Sequence, residues 1–153
     1  MRTLAIDLGQ KRIGLALSDA GGKWATPHSV LRISDPALAI DQIVKLIQSE
    51  SVQRIVVGLP LNMDDSIGPA ARQTMQWSNR LSTAAAAGGQ TISLLFVDER
   101  LSSFAAEQQL TDRKKSGERL TRAGKKERLD AIAAAGFLQE FLDGKLPPIT
   151  VSI

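Results

Sequence analysis

The chain has 153 residues, 43% of them hydrophobic and 23% charged, the balance of an ordinary globular domain. It contains no cysteine and a single histidine, His28. That excludes disulfides, zinc–thiolate sites and a cysteine nucleophile, and it disfavours His-cluster metal sites and a Ser-His-Asp triad. The net charge of +3 is uneven: Arg113 to Arg128 carries eight of the 19 basic residues and two of the 16 acidic ones, net +6, which leaves the remainder at −3. A clustered basic segment is the electrostatic footprint of nucleic-acid binding, although a solvated charged loop has the same composition. No apolar run approaches the ~20 residues of a membrane span. The apolar stretch at the N-terminus is too short for a signal-peptide core, so a cytoplasmic protein with no membrane partner is expected.

In chain order, Thr3 to Leu8 reads as a buried strand, Gly9 to Arg12 as a turn, and Ile13 to Ser18 as the returning strand of a hairpin. Gly21, Gly22 and Pro27 punctuate a loop before a third strand over His28 to Ile33. Ser34-Asp35-Pro36 supplies a helix cap and a first-turn proline, and Leu38, Ile40, Ile43, Val44 and Ile47 continue at helical spacing. Arg54 to Gly58 is a short apolar strand. A loop leads to a helix from about Pro69 to Ala87, closed by Gly88-Gly89. Thr91 to Val97 is a strand apolar enough to be covered on both faces. A short helix capped by Ser102-Ser103 runs to about Leu110, and a last helix starts near Lys125 and ends at Asp143-Gly144. Three hairpin-linked strands followed by strands alternating with helices predict an α/β fold. It is a mixed five-stranded sheet, antiparallel and then parallel, with helices on both faces. A single domain over 1–146 and a short tail over 147–153 are expected.

Three carboxylates stand where carboxylates are unfavourable. Asp7 interrupts an apolar strand, which requires a cation: a metal, or Lys11 or Arg12 across the turn. Glu99 follows the strand ending at Val97, at the carboxyl end where open α/β sheets place ligands; a solvent-exposed strand end is the alternative. Asp130 heads the helical stripe Asp130, Ala133, Ala134, Phe137, Leu138 and Phe141 that must face the sheet, unless it caps the helix instead. At an effective dielectric near 20, two carboxylates ~5 Å apart repel by roughly 3 kcal/mol. Three converging carboxylates must therefore protonate, separate or bind cations. Oxygen-only ligands select Mg²⁺ or Mn²⁺, and two such ions can cleave a phosphodiester with no protein nucleophile.

The segments Asp7–Asp19, Val57–Asp64, Ser66–Pro69, Val97–Leu101 and Asp130–Ala134, in this order, resemble the YqgF (RuvX) family, a bacterial RNase H-fold group akin to the RuvC resolvases. The resemblance covers Met1 to about Asp143. It implies an RNase H-like fold and a metal-dependent nuclease that acts either in maturation of the 5′ end of small-subunit ribosomal RNA or on Holliday junctions. The acidic triad it implies falls on Asp7, Glu99 and Asp130. Two positions depart from the pattern: Gln10 stands where Thr or Ser is expected, and Asp65, where Gly is expected, adds negative charge to a loop placed near substrate phosphates.

Other nucleic-acid contacts are expected from Lys11 and Arg12, from Asn62 and Ser66 beside the free N–H groups of the helix starting at Gly68-Pro69, and from Lys114, Lys115, Arg119, Arg122, Lys125 and Lys126. Aromatic residues are 4% of the chain, so recognition of structured RNA or branched DNA rests on phosphates and shape; Trp24 and Trp77 read as packing residues, and His28 as a strand-edge residue. Two rivals stand beside the nuclease. An actin-like sugar kinase shares the Asp-x-Gly phosphate loop but needs a second domain, and a catalytically silent RNA-binding module needs no acidic triad. A resolvase cutting two strands symmetrically requires a homodimer; a single-strand processing enzyme works as a monomer.

Overall fold

The computed structural model describes residues 1–101 and 122–149; the side chains of Pro36 and of 122–128 lie outside the description. Five strands form one sheet: β1 (Thr3–Leu8), β2 (Arg12–Ser18), β3 (Ala25–Arg32), β4 (Arg54–Leu59) and β5 (Ser93–Asp98), in the spatial order β3-β2-β1-β4-β5. The β1–β2 and β2–β3 pairs are antiparallel, and β1–β4 and β4–β5 are parallel, as the sequence pattern predicts. Three helices accompany the sheet among the described residues: α1 (Pro36–Ser49), α2 (Pro69–Ala87) and α3 (Arg122–Leu142). A 3-10 turn over Glu99–Leu101 follows β5 directly. The short helix expected from Ser102 to Leu110 lies outside the described residues.

Strand alternation builds two cores. Leu4, Ile6, Ile13, Leu15, Ile55 and Val57 face α1 and α2, where they meet Ile43, Ile47, Met75, Trp77 and Leu81. The intervening residues Ala5, Ala16, Val56 and Val97 face α3 and pack on Ala134, Ala135, Phe137 and Leu138. Small residues on the second face let α3 lie close to the sheet. Gln139 of α3 fastens the helix to the start of β3, accepting from Ala25 N at 2.9 Å and donating to Lys23 O at 3.0 Å.

Three boundaries differ from the sequence reading, each for a local reason. The third strand starts at Ala25, not His28, and runs through Pro27. It is an edge strand, where a missing N–H costs little, and the register passes from Leu15↔Ser29 to Ala16↔Pro27, leaving His28 as the bulged residue. The fifth strand starts at Ser93 rather than Thr91 because its partner begins at Arg54, which pairs with Ser93. The last helix is already helical at Arg122, through Gly124. Asp35 caps α1 by accepting from Ala37 N at 3.0 Å, with Pro36 in the first turn, as read. Beyond residue 146, where a tail was expected, Ile149 bridges to Phe96 of β5, its N–H 2.7 Å from Phe96 O.

Candidate active site

Asp7 lies near the end of β1, on the α3-facing side. Its neighbours on the two flanking strands are glycines. Gly14 is its partner in β2, and Gly58 follows Val57, the β4 residue beside Ile6. A Cβ at Gly14 would stand 2.1 Å from the carbonyl oxygen of Asp130, and one at Gly58 would stand 3.0 Å from Glu99 Oε2 and 3.1 Å from Phe137 Cε1. These two glycines leave room for the backbone of α3 at Asp130 on one side of Asp7 and for the Glu99 carboxylate on the other. A glycine inside a strand marks such a close approach. Gly14 and Gly58 are therefore the signal in the sequence that points to this site independently of the carboxylates.

Asp7 feels the other two carboxylates. The Asp7 carboxyl is pushed up to about 7, first by burial and then by the negative charges of Glu99 and Asp130. Glu99 is also pushed up, by burial and then by Asp98. Among the described residues no cation pairs with Asp7. Arg12, offered by the sequence as its partner, instead points its Nε to Asp130 Oδ2 at 3.4 Å. The N-cap alternative for Asp130 does not hold, because α3 begins eight residues earlier, at Arg122. As placed, no three acidic or histidine side chains among the described residues are gathered tightly enough to hold an ion. The donor set itself, carboxylate oxygens of which one is partly buried and has no cation among the described residues, has the chemistry of a hard divalent cation site.

Arg100 organises the rim. Its guanidinium forms a two-pronged pair with Asp98, at 2.9 and 2.7 Å, and also donates to Asp65 Oδ1 at 2.6 Å and to the carbonyl of Asn62. The end of β5 is thereby tied to the loop between β4 and α2, with Glu99 between the tied residues. Asp65 shares the Arg100 guanidinium with Asp98, so the negative charge expected of it is paired in part and not removed. Its φ of 67° lies in the left-handed region, which accounts for the glycine expected there. The expected phosphate donors Asn62 and Ser66 are engaged with the loop itself: Asn62 Nδ2 donates to Ser66 Oγ at 2.9 Å, and Ser66 donates to Asp64. Lys11 is exposed in the β1–β2 turn, beside the exposed Gln10. Among the described residues no side chain caps the start of α2 at Gly68, where the phosphate-binding N–H groups were expected. Lys114, Lys115 and Arg119 lie outside the described residues, as do the side chains of Arg122, Lys125 and Lys126.

Other motif residues are structural. Asp19 closes the β2–β3 turn by accepting from Lys23 N and Trp24 N. His28 is exposed and shares a hydrogen bond with Ser29. Trp77 is buried in the α2-side core, as read, whereas Trp24 is 68% exposed. No helix among the described residues is long and apolar enough to cross a membrane.

A five-stranded sheet of this order, with an acidic residue on its central strand and helices on both faces, defines the RNase H-like fold. In shape the chain is similar to Thermus thermophilus RuvC, solved in complex with Holliday junction substrate (TM-score 0.59, 15% identity, 97% of this chain and 99% of that one) and in a further structure (TM-score 0.57, 16% identity, 97% and 100%). Residues 1–144 match RuvX, described as Holliday junction resolvase, and the chain belongs to that family. Its relatives include proteins from Syntrophomonas wolfei (40% identical over 94% of this chain and 95% of that one) and Opitutus terrae (40% identical, 97% and 95%), each named "Putative pre-16S rRNA nuclease".

Proposed function

We propose that this chain is a divalent-metal-dependent endonuclease that cuts phosphodiester bonds in structured nucleic acid, with the 5′ end of pre-16S rRNA as its substrate. The observation that carries the reading is Asp7: a partly buried carboxylate on the central strand, without a cation among the described residues and feeling the charges of Glu99 and Asp130. The names of the relatives support the substrate. Asp7, Glu99 and Asp130 would hold the ions, Mg²⁺ or Mn²⁺ and two in number. When bound, such ions activate water and stabilise charge on the departing oxygen.

The chain's own residues supply position and attraction. Gly14 and Gly58 keep the floor of the site open for the carboxylates. Arg100 holds the turn that presents Glu99 and leaves the carboxylate itself unpaired with any cation among the described residues. Lys11, with Lys114, Lys115, Arg119, Arg122, Lys125 and Lys126, is assigned to the substrate backbone, where point charges attract phosphate without reading sequence. Asn62 and Ser66 shape the rim loop.

A second reading, cleavage of four-way DNA junctions, draws on the family description. The deciding experiment challenges purified protein, with Mg²⁺ or Mn²⁺, with a pre-16S rRNA fragment and a four-way DNA junction in parallel. Cleavage of the RNA, lost in Asp7→Asn, Glu99→Gln and Asp130→Asn, is the expected result. Cleavage of the junction alone moves the assignment to recombination. Binding without cleavage of either substrate leaves a silent RNA-binding module. Ca²⁺ should bind yet support little turnover, because its longer and more variable coordination spoils two-metal geometry; full activity in excess EDTA sinks the mechanism.

A further inference from the structure

Arg12 stands on the α3-facing side of β2, two residues before the Gly14 that pairs with Asp7. Its Nε reaches one oxygen of Asp130 at 3.4 Å, with the two side chains 24% and 35% exposed. Three features of this contact matter. It places positive charge among carboxylates that repel one another, and an arginine keeps that charge at any working pH. It is a single long contact and not the two-pronged fork that makes Arg–carboxylate pairs strong, in contrast to Arg100 with Asp98 in the same molecule. Finally, it is partly open to water, where such pairs are worth little and are easily exchanged.

We infer that Arg12 is a resident counter-cation of the acidic site: it neutralises Asp130 while no metal is bound, gives way to the divalent ion, and only then turns its guanidinium toward the substrate backbone. The inference rests on the metal-site reading proposed above. It resolves the two roles the sequence offered for Arg12, partner of a carboxylate and contact to phosphate, by making them successive. It also has a direction. A counter-cation competes with the metal, so its removal tightens metal binding. An arginine that stays on Asp130 to orient it as a ligand acts oppositely, and its removal weakens binding.

The test is Mn²⁺ binding to the full chain without nucleic acid, followed by the paramagnetic signal of the free ion. Arg12→Gln should bind Mn²⁺ roughly two- to fivefold more tightly than wild type, the range expected for losing one part-exposed competing pair. Arg12→Lys, which keeps the charge, should bind nearly as wild type does, and Asp7→Asn should lose most of the affinity. In the wild-type protein, the Arg12 Nε–H resonance should move toward that of a free guanidinium as Mg²⁺ saturates the site, a readout that needs no variant to fold. Equal or weaker binding by Arg12→Gln, or an Arg12 resonance unmoved at saturation, overturns the counter-cation role while loss of binding in Asp7→Asn leaves the metal site standing. Absence of saturable Mn²⁺ binding to wild type, or wild-type affinity in Asp7→Asn, removes the metal site and the role of Arg12 with it.

Discussion

Asp7 is held in a strand that would be more stable without its charge. Its carboxyl is pushed up to about 7 from an ordinary 3.8, so between those values the folded protein binds a proton that the unfolded chain has released. Stability must therefore fall as pH rises from about 4 to about 7, and is highest below that window as far as this residue is concerned. The full shift corresponds to about 4 kcal/mol at most. Metal-free Asp7→Asn should lose most of this slope and be more stable than metal-free wild type at pH 7, by about 2 kcal/mol once partial solvent exposure is allowed for. Chemical denaturation of both proteins at pH 5 and pH 7, in EDTA, measures it. A destabilised Asp7→Asn would mean that the carboxylate has a structural partner after all. With Mn²⁺ added, the mutant should also gain less stability than wild type, because ligand stabilisation scales with affinity for the native state.

At the level of elements, the site depends on how closely α3 and the Glu99 turn approach the sheet. Gly14→Ala puts a methyl 2.1 Å from the Asp130 carbonyl, a backbone atom of a packed helix that cannot yield locally. The expected cost is about 3 kcal/mol, with the helix displaced from Asp7. Gly58→Ala meets the movable end of Glu99 at 3.0 Å and the edge of the buried Phe137 ring at 3.1 Å. Its cost should be about 1 kcal/mol, yet it shifts the Glu99 carboxylate, so cleavage should fall far more than stability. Denaturation midpoints beside single-turnover rates separate the two cases. The Arg100 strut joins two other elements, β5 and the β4–α2 loop. Arg100→Ala leaves Asp98, 6% exposed, without its two-pronged partner, and should destabilise the protein. Asp98 is held below the usual carboxylate range chiefly by Arg100. The stability it contributes is present above the unfolded value and is lost as pH falls through the folded one, so the deficit of Arg100→Ala should shrink in acid. A deficit constant with pH would assign Arg100 a packing role only.

Over the whole molecule, charge is distributed in a simple way: the proposed metal site is built of carboxylates, while the segment 113–128 carries net +6. Neither sign alone suits a nuclease. The carboxylates repel phosphate, and a long-range positive field must bring the substrate to them. Replacing Lys114 and Lys115 together with Ala should weaken binding to all structured nucleic acids alike. The slope of log affinity against log salt should become shallower by roughly 1.5, the release of two fewer counterions. Filter binding between 50 and 200 mM salt, a range that spans a large change in affinity for such contacts, measures it. An unaltered slope would place these lysines in solvent rather than on the substrate.

Much of this was written in the chain. Short apolar runs in Thr3–Leu8, Ile13–Ser18 and Arg54–Gly58, with helical spacing after Asp35-Pro36, determine the order and kind of elements. Those patterns report burial, and burial is local in sequence. Asp7 was legible for the same reason, as a charge inside an apolar run. The pairings of the cations were not. Arg12 and Lys11 are equally near Asp7 along the chain, but Arg12 shares its strand face with the incoming α3 and so meets Asp130. Asp65 reads as a repulsive departure until β5 brings Arg100, 35 residues away, to within 2.6 Å of it. Composition and periodicity determine which residues are buried and on which face. Which charge meets which depends on distances between segments remote in sequence, and only the packed sheet and its helices set those distances.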